Sequence, residues 1–150
     1  MVDPKTCQKY IAYANSCKIE HLNFAHHGPA NKGRGKIIQF NGRDIQIYPH
    51  CIGAFSYYSR KCIETIGFLD ENFLNAWEHV EHTKRVIDAG MHPPFWYFAD
   101  VPESWNLLEE IPGSLEYSSI RVCKDWKGNI KKGKKYWKKK HGEWLPKSPW

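Results

Sequence analysis

An α/β fold is expected from three features of this 150-residue sequence: a helical period over residues 5–17, a second over residues 77–89, and an Asn41-Gly42 turn set between alternating apolar stretches. The expected architecture is a small mixed sheet flanked by helices, with the Asn41-Gly42 hairpin projecting from it. The length suits one core, and hydrophobic residues make up 41% of the chain, enough for a packed interior. Aromatic residues make up 15%, with seven Trp, which either fill that interior or stack on flat ligands such as sugar rings.

The elements follow in order. Tyr10, Ile11, Ala14 and Cys17 fall on one face of the first helix, with Asp3 as cap and Pro4 in the tolerant first turn. Residues 19–24 alternate apolar and polar, the signature of a half-buried strand. The Gly- and Pro-containing stretch 26–35 is a loop; its glycines match neither phosphate-binding fingerprint, so a plain loop competes with a phosphate cradle. Ile37 to Phe40 and Arg43 to Tyr48 flank Asn41-Gly42, which favours a type I′ turn. The run 51–58 reads as a loop entering a buried strand. Ser59 opens a helix with body 60–66 and Gly67 as its stop. The second long helix, 77–89, presents Val80, Thr83, Val86 and Ile87 inward and ends at Gly90. Residues 95–98 read as a short strand after Pro93-Pro94, and 101–119 as mixed loop and short helix.

Net charge is +6, but residues 124–150 hold ten Lys against Asp125 and Glu143, a local +8 that leaves −2 for the rest. Two segments are therefore expected: a near-neutral body, 1–123, and a basic, aromatic-rich tail, 124–150. A solvated tail is the plain reading. Nucleic acid, with Lys on phosphates and aromatic rings on bases, or an anionic membrane surface are the alternatives. Cys7, Cys17, Cys51, Cys62 and Cys123 are odd in number and contain no C-x-x-C pair, which points to reduced thiols in a cytoplasmic compartment. No stretch is apolar enough to cross a bilayer, and Met1-Val2-Asp3-Pro4 lacks the features of a signal peptide.

Two consecutive stretches carry a resemblance. Gly53 to Phe73 includes Gly67-Phe68-Leu69-Asp70-Glu71-Asn72-Phe73, and Leu74 to Gly90 includes Trp77-Glu78-His79-Val80-Glu81 and ends in Arg85, Ala89 and Gly90. Without gaps, they resemble the acceptor-side signature of family 2 glycosyltransferases of the GT-A fold. That signature runs from a small-residue loop through a strand, a short helix and "GxFDExF" to an acidic "ED" helix closing with "R…AG". Phe68 and Leu69 depart from it in wording; Asp70, Glu71 and Phe73 fit. Outside this region Phe98 to Glu103 and Tyr136 to Gly142 look like later family elements, and Asp3-Pro4 looks like the residues just after the family's DxD motif.

The resemblance implies a partial GT-A domain, its C-terminal acceptor-binding half. It would work with a nucleotide-sugar donor and a glycan or other hydroxyl acceptor, by an inverting reaction. A side chain takes the acceptor proton, while a divalent cation (Mn or Mg) held by DxD stabilises the leaving diphosphate. No Asp-x-Asp occurs in these 150 residues, and Leu107-Leu108-Glu109 stands where the family often has a metal-binding His, so no ligand set is evident. The chain alone is expected to have little transferase activity. The family's "ED" is Glu78-His79 here, which leaves His79, Glu78 and Glu81 as candidate bases; Gly53, Ala54 and Trp77 are the candidate acceptor-binding residues. Three other readings compete: a metal cluster from Glu78, His79, Glu81 and His82, a solvated acidic helix start, and a non-catalytic carbohydrate- or nucleic-acid-binding module.

Overall fold

The computed structural model describes residues 3–26, 30–109, 111, 113 and 124–150. Among these, the chain is mixed α/β, with four α-helices, one short 3₁₀ turn and two small antiparallel sheets. The expected mixed sheet is therefore corrected: β1 (His21–Asn23) pairs with β4 (Ser56–Tyr58), while β2 (Lys36–Phe40), β3 (Arg43–Tyr48) and β5 (Phe98–Asp100) form a separate sheet in that order. β1 runs beside β5, yet the two sheets stay separate.

Local signals set most boundaries. In α1 (Pro4–Cys17) the Asp3 carboxylate accepts from the Lys5 N–H, satisfying one of the otherwise unpaired donors of the first turn. Thr6, Tyr10, Ala14 and Cys17 face inward; Ile11, expected on that face, is exposed. Asn41 and Gly42 both take positive φ, 51° and 72°, as a type I′ turn requires, and Phe40 pairs with Arg43 across it. Asn41 also donates to the Lys18 carbonyl, tying the hairpin to the end of α1. α2 (Arg60–Ile66) is capped by Ser59, whose hydroxyl accepts from the Cys62 N–H, and ends at Gly67.

The main core gathers Tyr10, Ala14 and Cys17 of α1, Ile19 and Leu22 from around β1, Ile45 and Ile47 of β3, Ala99 of β5 and Val101 just after it. Each fully buried Ile contributes on the order of 1.5–3 kcal/mol relative to exposure. At its edge Asp100 accepts from Tyr10 Oη (2.8 Å), Ser104 Oγ (2.7 Å) and the N–H groups of Ala25, His26 and Val101. Burial raises its carboxyl even against these donors, so this is a desolvated junction joining α1, β1 and β5.

Three further expectations are corrected. Residues 95–97 precede β5 rather than forming a strand, with Trp96 at φ 75° and its indole N–H on the Pro146 carbonyl. The inner face of α3 (Glu78–Asp88) consists of Glu81, His82, Thr83 and Val86, with Val80 and Ile87 only partly buried. The basic segment is no solvated tail: it forms α4 (Trp126–His141), anchored by the fully buried Trp137. Of the segment 101–119, only Ser104–Asn106 is helical among the described residues, and the rest of that expectation, like Gly28 of the 26–35 loop, lies largely outside them.

Candidate functional site

The stretch 53–90 folds as one continuous unit: an exposed loop at Gly53 and Ala54, then β4, α2, the 67–73 turn and α3. The chain enters α3 through two left-handed residues, Asn75 (φ 54°) and Trp77 (φ 75°). This tight entry sets Glu78 and His79 on the first turn of the helix.

His79 then meets Gly53 directly. A Cβ on Gly53 would lie 3.1 Å from His79 Nδ1 and 3.2 Å from its Cγ, so any side chain there would push the imidazole back by a few tenths of an ångström. Glu78 Oε1 lies 3.6 Å from the same Nδ1. The neighbouring His79 is the main influence holding the Glu78 carboxyl below the ordinary range, against the opposing effect of burial. Oε2 of Glu78 is buried without a hydrogen-bond partner among the described residues. Both side chains are about a quarter exposed, at 26% and 28%, so they stand at an open surface beside an exposed backbone.

Beneath them lies a polar network that the sequence reading missed. The Thr83 hydroxyl donates to the His79 carbonyl, and its Oγ1 is 2.9 Å from His21 Nε2. His21 Nδ1–H donates to the Tyr57 carbonyl, and Asn23 Nδ2 approaches His21 Nε2 at 3.2 Å. Ser56 Oγ donates to Asn23 Oδ1, and Cys51 Sγ sits 3.7 Å from Thr83 Oγ1. Burial holds His21 well below its ordinary range and pushes the Cys51 thiol up to about 12, so the imidazole is neutral and the thiol is no nucleophile. Residues 19–24 alternate as a half-exposed strand would, but His21 and Asn23 face this network instead of solvent. Only the other side of the pair, α3 and the Cys51 loop, makes them interior.

Glu81 stands apart from its neighbours. It is fully buried, with Arg85 Nε 3.1 Å from both carboxylate oxygens, Lys140 Nζ at 2.8 Å and His141 Nε2 at 3.4 Å. Arg85 in turn donates to the Ile66 and Phe68 carbonyls, and Lys140 bridges to Asp70 at 2.7 Å. His82 donates from Nε2 to the Gly67 carbonyl. Glu81 and His82 therefore hold the 67–73 turn and α4, while His79 meets Gly53 and Glu78 lies beside His79. The four do not converge, and among the described residues no group of three His, Cys, Asp or Glu side chains is placed to hold a metal ion.

Trp77 is also committed elsewhere. Its indole N–H donates to the Ile130 carbonyl, and Gly133 of α4 packs so closely that a Cβ there would meet Trp77 Cδ1 at 2.6 Å. The ring packs against α4 while staying partly exposed. The candidate site thus reduces to Gly53, Ala54, Glu78 and His79. No family model matches the chain, and no match to a curated protein or to a solved structure was found, so the site stands on these residues alone.

Proposed function

We propose that these 150 residues form the acceptor-binding side of a family 2-type, GT-A-like glycosyltransferase, with His79 as the base and Glu78 as its partner. The observation that carries the reading is the contact between His79 and the exposed, side-chain-free backbone at Gly53. A sugar ring can reach this backbone, and its hydroxyl then lies beside an imidazole. Glu78, held ionised 3.6 Å from Nδ1, balances the imidazolium that forms as His79 takes the acceptor proton. As that proton leaves, the acceptor oxygen bonds to the anomeric carbon of the donor, the bond from that carbon to the phosphate oxygen breaks, and the nucleoside diphosphate departs.

The donor's diphosphate calls for a divalent cation, and the described residues do not supply its ligands. In this reading the nucleotide-sugar donor is held by a separate donor-binding half, and the compartment is cytoplasmic, in keeping with the free thiols. Among the described residues no helix is long and apolar enough to cross a membrane.

The test is binding first, turnover second. Saturation-transfer NMR against a panel of soluble glycans is expected to give contacts that Gly53→Val abolishes with the fold intact by circular dichroism. With a donor-binding half supplied, His79→Ala and Glu78→Gln should lower kcat more than they raise KM, since a base acts in the transition state. Absence of binding to every glycan class, or binding indifferent to Gly53→Val, overturns the reading. Glycan binding that survives without turnover under any donor would instead make the chain a carbohydrate-binding module.

A further inference from the structure

We propose that the outer face of α4, together with the 67–74 loop tied to it, is a docking surface for an anionic lipid bilayer. α4 is amphipathic in an unusual way. Its inner side, with Asn129, Gly133 and Trp137 buried, is seated on Trp77 and on the Glu81 cluster. Its outer side carries Lys127, Lys131, Lys135, Lys138 and Lys139, none of which forms an ion pair with a carboxylate among the described residues, while Lys134 Nζ lies 5.6 Å from the centroid of the Trp77 ring. The helix contains no acidic residue. Sixteen helical residues span about 24 Å at about 1.5 Å each. With its opposite side fixed to the body, such a helix presents a flat basic strip, as an in-plane membrane contact requires.

Exposed apolar side chains on two segments joined to α4 favour lipid over nucleic acid. Asp70 accepts from both Tyr136 and Lys140, which fastens the 67–74 loop to α4, and that loop exposes Phe68 (79%), Leu69 (47%) and Leu74 (58%). Past the helix end Trp144 is 60% exposed, with Lys138 Nζ 5.8 Å from its ring centroid. Lysine attracts phosphate as a point charge and an aliphatic side chain inserts below the headgroups, whereas base readout favours the bidentate fork of Arg, absent from α4. The inference is independent of the transferase reading.

Vesicle flotation of the full chain tests it. Vesicles of phosphatidylcholine with about a third phosphatidylglycerol should carry the protein, and phosphatidylcholine alone should not. The triple variant Lys131→Gln, Lys135→Gln, Lys139→Gln should partition about a hundred-fold more weakly. Phe68→Ser with Leu69→Ser should weaken partitioning several-fold at unchanged charge, while circular dichroism shows both variants folded. Three results overturn the proposal: no flotation with anionic vesicles, partitioning unmoved by either variant, or tighter binding to a single-stranded or duplex oligonucleotide than to anionic vesicles at the same salt.

Discussion

His79 and Gly53, separated by 25 intervening residues, are in such close contact that a single methyl group on the glycine would press on the imidazole at 3.1–3.3 Å. Gly53→Ala should therefore fold, with the ring moving a few tenths of an ångström. Gly53→Val should displace it and cost about 1–3 kcal/mol by overpacking. Histidine ring chemical shifts read the displacement and urea denaturation the cost. A Gly53→Val protein with unshifted His79 resonances would show that the two do not touch in solution.

The two glycines inside α4 make opposite predictions. Replacing a helical Gly by Ala gains about 1 kcal/mol where space allows. Gly128 faces the exposed Asp125 side chain, which can swing aside, so Gly128→Ala should stabilise by up to about that amount. A Cβ on Gly133 meets the Trp77 ring at 2.6 Å and the Ala76 carbonyl at 3.2 Å, so Gly133→Ala should destabilise by about 1–3 kcal/mol despite the better propensity. Thermal unfolding of the pair decides it; equal gains would mean that α4 is not seated on Trp77.

Glu81 joins three elements through Arg85, Lys140 and His141 while fully excluded from solvent. Removing one member of a buried charge cluster strands the others, so Glu81→Ala should cost about 3–5 kcal/mol. The mirror change at the surface pair Lys132→Ala, facing Asp125, should cost under about 1 kcal/mol. Denaturant midpoints compare the two. Similar small losses would place Glu81 in contact with water.

Acid should loosen the fold through its buried imidazoles. Burial is the main cause that lowers His92 from the ordinary 6.5 to about 4, and Ala99 N–H donating to its Nε2 keeps it neutral. The unfolded chain therefore takes up this proton first as pH falls. The stability is complete above about pH 6.5 and drains away toward pH 4, about 3 kcal/mol from His92 at about 1.4 kcal/mol per pH unit. His21, held neutral in the same way, adds in the same direction. Urea midpoints measured from pH 7 down to 4.5 should fall, and the His92→Gln variant should fall less steeply. An identical slope in the variant would mean that His92 is already solvated.

Much of the fold was legible locally. Ser59 and Gly67 bound α2, Asp3 opens α1 and Asn41-Gly42 turns the hairpin, because caps and turns are settled by groups within four residues of one another. The resemblance had marked Gly53 and His79 as candidates along the chain, and the fold brings the two into contact. Only the tertiary structure decided which polar residues are interior. His21 and Asn23 alternate as solvent-facing strand residues would, and they are buried because α3 and the Cys51 loop cover them. Glu81 and Glu78 look alike in sequence, but Glu81 is buried against Arg85, Lys140 and His141, while Glu78 lies partly exposed beside His79. Trp77 and the basic segment were read as free surfaces, and each turned out to be the other's seat. Burial of a polar group depends on what arrives from far along the chain to pair with it, and no local pattern carries that information.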